Sequence, residues 1–207
     1  NLLDSCEWLV QKKLKVNKLS GLMLHRPSDL LVRKNRLWDI LNELKANGVI
    51  DSIGYSIYSP SELDILYNDF SPDLIQAPYN IMDRRLKNTG WLNRLSNNNV
   101  EVHTRSCFLQ GLLLLAPNKR PNKFKKWNDL FLLWDNWLKK NKLSALDACL
   151  NFVYQEKNIS RVVVGIDNNT QLNEIIEALV FKKMLDIPES ISSEDIDLIN
   201  PANWLKL

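Results

Sequence analysis

The apolar positions of this chain fall into short runs separated by longer amphipathic stretches. Over residues 4–17, Leu3, Cys6, Leu9, Val10 and Leu14 recur at helical spacing, with Asp4 or Ser5 to cap them, and predict a helix. Gly21-Leu22-Met23-Leu24 is a continuous apolar run, as in a strand covered on both faces. Ser28 or Asp29 can cap the next helix, whose inner face would carry Leu30, Leu31, Leu37, Ile40, Leu41 and Leu44 and which Gly48 would stop. The alternation goes on to predict strands over Val49–Ser56, Leu74–Gln76, Val100–Arg105 and Arg161–Gly165. Between them it predicts helices from Pro60 to about Asn68, over Asp83–Leu95, over 124–140 and 144–157, and over Gln171–Lys183. Trp127, Trp134 and Trp137 recur at helical spacing and are expected to face the core. The tail, Ser192–Leu207, is short and acidic.

Five strands, each parted from the next by at least one helix, predict an α/β chain built on a parallel sheet. Two closures fit, an open doubly wound sheet or a (β/α)8 TIM barrel. No G-x-G-x-x-G follows any strand, which weighs against the dinucleotide-binding open sheet. The strand exits carry His25, Ser56, Gln76, Ser106 and Gly165. Polar or small residues there suit a barrel, whose active site lies at the C-terminal ends of its strands. Five strands do not close an eight-stranded barrel, so either the sheet is open or the chain is part of something longer.

A length of 207 residues fits one domain with a substantial core, and residues 1–207 are read as a single domain. With 45% hydrophobic and 25% charged residues the composition is that of an ordinary soluble domain. A net charge of +3 is too small to imply a nucleic-acid partner. Cys6, Cys107 and Cys149 are odd in number and widely spaced, which points to free thiols in a reducing compartment. They lack metal-ligand spacing, so no metal is expected. Asn1–Lys18 is charged and amphipathic, unlike a signal peptide, and no apolar run approaches the ~18 residues of a membrane span. The cytoplasm is the expected location, with no membrane partner. The basic stretch Asn118–Trp127 could serve a phosphate or a nucleic acid, but a solvated loop is the simpler reading.

Five stretches together are recognisable: Leu24-His25-Arg26-Pro27, Ile53-Gly54-Tyr55-Ser56, Gln76-Ala77-Pro78-Tyr79-Asn80, Arg105-Ser106-Cys107-Phe108-Leu109-Gln110-Gly111, and Val163-Val164-Gly165-Ile166-Asp167-Asn168 with Gln171-Leu172. In order and spacing the chain resembles the aldo-keto reductase family over nearly its whole length. The resemblance implies the barrel from its third helix to its C-terminus, with the family's first three strands, about 80–100 residues at one βα unit per ~30, unmatched. The family's catalytic tyrosine, lysine and aspartate fall in that unmatched part. Its histidine corresponds to His25, which would orient a carbonyl by a hydrogen bond. The plain alternative is a histidine that ends a strand and bonds to backbone. His103, inside a strand, is read as packing or lining the barrel.

By the same resemblance the chain is an oxidoreductase that moves hydride between a nicotinamide cofactor, NADP or NAD, and a small carbonyl or alcohol substrate. Ser56 and Gln76 would hold the nicotinamide carboxamide, which offers both a donor and an acceptor. The family's next residue, asparagine, is replaced by Ile57. Arg105 stands where the family often has an aromatic, and a guanidinium also stacks on a flat ring. Ser106, Phe108, Gln110 and Gly111 would line the pyrophosphate path. Gly165, Asp167, Asn168, Gln171 and Glu174 would hold the adenosine end, with Ile175 where asparagine is usual. Acidic Asp167 suits a free 2′-OH better than a 2′-phosphate. Lacking the tyrosine, this chain alone is expected to be inactive on carbonyls, and the competing function is a non-catalytic cofactor-binding or scaffold protein on the same fold. The oligomeric state is not legible.

Overall fold

The structure is a computed structural model that describes residues 12–32, 36–180 and 184–207. Strands β1 (Leu22–Leu24), β2 (Ile53–Ser56), β3 (Leu74–Pro78), β4 (Glu101–Arg105) and β5 (Arg161–Val162) lie in one sheet in chain order. β1 and β2, β2 and β3, and β4 and β5 pair in parallel. Helices α1 (Asp29–Val32) and α2 (Arg36–Ala46) follow β1, and α3 (Pro60–Leu66) follows β2. After β3 come α4 (Arg85–Asn88) and α5 (Trp91–Asn97). After β4 come α6 (Asn128–Asn141) and α7 (Ala145–Tyr154), then α8 (Asn169–Val180) after β5 and α9 (Ile196–Ile199) in the tail. The helix expected over 4–17 falls mostly on residues outside the described ones.

The chain forms two compact units. The first holds the described residues up to Ala77 together with Asn93–Val102. Its sheet is covered by α2, which buries Trp38, Leu41 and Leu44. Tyr55 of β2 packs edge-on to Trp38 (6.1 Å) and donates its hydroxyl to the Phe70 carbonyl (3.2 Å). Leu31, expected on the inner face, is half exposed, whereas Trp38, not expected there, is buried. Ser59 and Glu62 form a capping box with Pro60 in the first turn of α3, so the Ser-Pro-Ser-Glu stretch starts a helix by satisfying its free amides. Asp73 ties the layers together: it accepts from Lys45 Nζ (2.6 and 2.7 Å) and from the Ile53 amide (3.0 Å). The strand expected from Val49 begins only at Ile53, because Val49–Asp51 instead bridges Leu19. At Gly54 a Cβ would lie 1.8 Å from the Leu74 carbonyl oxygen, so β2 and β3 approach where only glycine fits.

The second unit holds Pro78–Leu92 and His103–Leu207. Here β4 pairs with β5 through His103↔Arg161 and Thr104↔Val162. The strand expected to reach Gly165 stops at Val162, because β4 itself turns away: Ser106, just past its end, has φ +62°. The single helix expected over Asp83–Leu95 is two, parted at Gly90 with φ +81°. Trp127, Trp134 and Trp137 are buried, as their spacing predicts, and each indole N–H finds an acceptor: Asp195 Oδ2 and the Leu113 and Asp186 carbonyls respectively. Arg84 is 4% exposed and donates to the carbonyls of Ile81, Ile187 and Pro188. That clamp, with the Ser193 amide on the Met82 carbonyl (2.8 Å), folds the acidic tail against the segment after β3.

Candidate active site

In the first unit the register sets the site. Leu24 is level with Tyr55, so His25 steps onto the level of Ser56, and Ser56 is paired with Gln76. Three polar residues thus stand level, His25 just past β1, Ser56 at the end of β2 and Gln76 within β3, which runs on to Pro78 and not only to Gln76 as expected. Successive strand residues face opposite ways. Tyr55 faces the helices, so Ser56 and its partner Gln76 face the other side. Among the described residues, none hydrogen-bonds the side chain of His25, Ser56 or Gln76. Ser56 is buried, Gln76 half-buried and His25 exposed. Beside them Ile57 is buried without exposure, and its amide extends the ladder to the Gln76 carbonyl (2.8 Å).

In the second unit the exit of β4 carries Arg105, Ser106, Phe108, Gln110 and Gly111. Arg105 is half-buried, with Nη1 3.4 Å from Ser106 Oγ. Ser106 is left-handed, and Leu109, Gln110 and Gly111 follow with φ of +47°, +53° and +80°. Side-chain-bearing residues visit that region at a cost of roughly 1–2 kcal/mol each, so something must hold the loop. Cys107, Leu109, Leu112 and Leu113 do so by burial, while Phe108 and Gln110 point their accessible surface outward. The Ser106 carbonyl also accepts from Asn80 Nδ2 at 3.0 Å. Cys107 donates to the Cys149 carbonyl (3.4 Å), and burial pushes its thiol up to about 12. Cys149 is pushed up as well, so neither supplies a thiolate nucleophile.

The entrance of α8 carries the remaining candidates. Asn168 Oδ1 accepts from the Gln171 amide (3.0 Å), and Gln171 Oε1 accepts from the Asp167 amide (2.8 Å). These two side chains therefore cap the helix reciprocally, a structural task beside the binding role expected of them. Asp167 and Glu174 are exposed. Gly165 has no left-handed φ, and a Cβ there would meet nothing within 4 Å, so backbone geometry does not demand glycine. The stretch 118–127 is knitted into its unit: Arg120 pairs with Asp135, Lys123 donates to the Trp204 carbonyl, and Lys126 pairs with Asp195. The solvated loop expected here is mostly exposed, but it is coiled into short 3-10 turns and buries Phe124 and Trp127. Among the described residues no His, Cys, Asp or Glu cluster could hold a metal, and no helix is long and apolar enough to cross a membrane.

Sequence reasoning gave no role to Asn80, although it is a polar residue within the buried run Ala77–Met82. Burial, with Glu156 adding for Tyr79, pushes the phenols of Tyr55 and Tyr79 above their ordinary value.

The sequence model described as the Aldo/keto reductase family matches residues 5–190. A search of curated proteins found no match. Among solved structures, the holo form of an aldo-keto reductase from Bacillus halodurans superposes with TM-score 0.70 at 18% identity, over 94% of this chain and 66% of that one. Its apo form gives 0.65 at 19% identity, over 91% and 65%. A thermostable aldo-keto reductase solved with the inhibitor epalrestat gives 0.62 at 18% identity, over 92% and 63%. The chain spans just under two thirds of these relatives' length. The fold is α/β, with a parallel five-stranded sheet of the (β/α)8 type, five βα units of the eight. The family match covers most of the sequence, and the chain belongs to the aldo/keto reductase family.

Proposed function

We propose that this chain serves a pyridine-nucleotide oxidoreductase acting on a small carbonyl or alcohol substrate. The observation that carries the reading is the level row of His25, Ser56 and Gln76, three polar side chains with no hydrogen bond to another described residue. Polar groups placed together at strand ends and left without partners are suited to a ligand. A hydroxyl beside a primary amide offers the donors and acceptors that a nicotinamide carboxamide needs, so Ser56 and Gln76 fit that end of the cofactor. His25 would give a hydrogen bond to the carbonyl oxygen of the substrate and polarise it. In the second unit, Ser106–Gly111 would serve the pyrophosphate through backbone N–H groups, and Arg105 offers a guanidinium able to stack on a flat ring. Gly165 leaves room for close approach, and Asp167, Asn168, Gln171 and Glu174 would serve the adenosine end. When bound, the cofactor supplies the hydride.

Binding without turnover is the competing reading. One titration addresses the primary claim. NADP or NAD added to the chain should quench tryptophan fluorescence saturably with at least one of the two, and Gln76→Ala should weaken that binding by about tenfold, the loss of one well-made hydrogen bond. No saturable binding of either dinucleotide would sink the reading. If either binds but carbonyl turnover is absent in the chain joined to the family's first three βα units, binding without turnover replaces it.

A further inference from the structure

Asn80 is fully buried and uses its amide at both ends. Its Oδ1 accepts from the amides of Met82 (2.9 Å) and Asp83 (2.9 Å), an Asx turn that folds the chain back after β3. Its Nδ2 donates to the Ser106 carbonyl (3.0 Å). One residue earlier, the Tyr79 amide donates to the Arg105 carbonyl (3.2 Å). Two consecutive residues of the β3 exit thus grip two consecutive carbonyls at the β4 exit. Ser106 is the point where that strand ends in the left-handed region, ahead of the left-handed run Leu109–Gly111. A buried amide donor is costly to leave unsatisfied, so the pairing of Asn80 with Ser106 is tightly enforced.

We infer that Asn80 is a positioning residue for the dinucleotide: its donor fixes Ser106 in the left-handed conformation and so sets the direction of the backbone N–H groups that meet the pyrophosphate. This rests on the dinucleotide reading above. Asn80 itself touches no ligand; it acts through the loop. An aspartate at this position would keep the size and both acceptor contacts, lose the donor, and set a carboxylate oxygen against a carbonyl.

Asn80→Asp therefore separates the latch from the turn. Amide hydrogen exchange is followed over 106–113 in wild type and variant, together with titrations of NADP, NAD and AMP, the last lacking a pyrophosphate. The expected result is exchange over 106–113 about tenfold faster in N80D, dinucleotide affinity about tenfold weaker, and AMP affinity unchanged, the size of one lost buried hydrogen bond. Unchanged exchange over 106–113 overturns the latch. Unchanged dinucleotide affinity, or an equal loss for AMP, overturns the positioning role. If the wild-type chain binds neither dinucleotide, the functional reading fails and the ligand half of this inference with it, while the exchange comparison still decides the latch. Should N80D fail to fold, Asn80→Ser, whose hydroxyl can still accept from the Asp83 amide, carries the same comparison.

Discussion

Two places in this chain carry polar residues where an apolar run stops: the strand-end row of the first unit and the α8 entrance of the other. In sequence they are alike, but they differ in what those residues already hold. No described residue hydrogen-bonds the side chain of His25, Ser56 or Gln76. Asn168 and Gln171 have each given their oxygen to a backbone amide at the start of α8. A strand end leaves side chains idle, because its backbone groups are satisfied by the neighbouring strand. A helix start consumes them, because its first amides have no partner within the helix. Polar residues at strand exits are therefore the better guide to a ligand, and those at helix entrances must first be discounted for capping.

The row depends on the spacing of β2 and β3, and Gly54→Ala attacks that spacing most directly. A Cβ 1.8 Å from the Leu74 carbonyl oxygen is not accommodated by a side-chain rotation, since the obstacle is backbone. Overpacking of this kind, with a ladder to displace, is expected to cost about 3 kcal/mol or more, or to abolish folding. Urea denaturation monitored by circular dichroism measures it. A G54A chain as stable as wild type would mean that the two strands are not held at this distance, and the alignment of Ser56 with Gln76 would fall with it.

Two alanine substitutions sharpen the contrast between idle and engaged side chains. Asn168→Ala removes a helix cap and should cost about 1 kcal/mol of stability. Ser56→Ala removes a hydroxyl that bonds no described residue, so its stability should stay within about 0.5 kcal/mol of wild type. Its dinucleotide affinity should nevertheless fall by about fivefold, the contribution of a hydrogen bond of ordinary strength. Denaturation midpoints and fluorescence titrations on the same preparations read both quantities. Equal destabilisation by the two variants would erase the distinction drawn between the regions.

These contrasts also explain what was legible in the chain. The exits of β1 and β2 could be read because each stops at a polar residue, whereas β3 runs on through Ala77 to Pro78 past the polar residue expected as its end. The rim shared by His25, Ser56 and Gln76 follows from parallel pairing. Backbone conformation was less visible. Leu109 and Gln110 are left-handed without being glycine, and burial of Leu109, Leu112 and Leu113 overrides their local preference. Gly90 parts α4 from α5, but a lone glycine in a helical pattern is an ambiguous signal. Leu31 is half exposed and Trp38 buried although both are apolar, because it is the indole that packs against Tyr55 and Phe70. Asn80 belongs to one of the five recognisable stretches, yet its two-sided use of one amide joins segments 26 residues apart, which no local pattern encodes.

The smallest test concerns Asp195, an engaged carboxylate of the second unit. The Lys126 ammonium, the Asp197 amide and the Trp127 indole N–H hold its carboxyl below the usual carboxylate range. A carboxyl whose folded-state pKa is depressed binds protons more readily when unfolded. Its stabilising contribution is therefore complete above the unfolded value, about 3.9, and is lost as pH falls through the folded one. Asp195→Asn removes that contribution at all pH values. Thermal melts should place D195N about 1–2 °C below wild type at pH 7, a small shift because the ion pair is open to solvent. The two curves should converge as pH is lowered below about 4. A gap that persists unchanged into that range would show that the charge of Asp195 is not what separates the two proteins, since asparagine keeps the acceptor that meets the Asp197 amide.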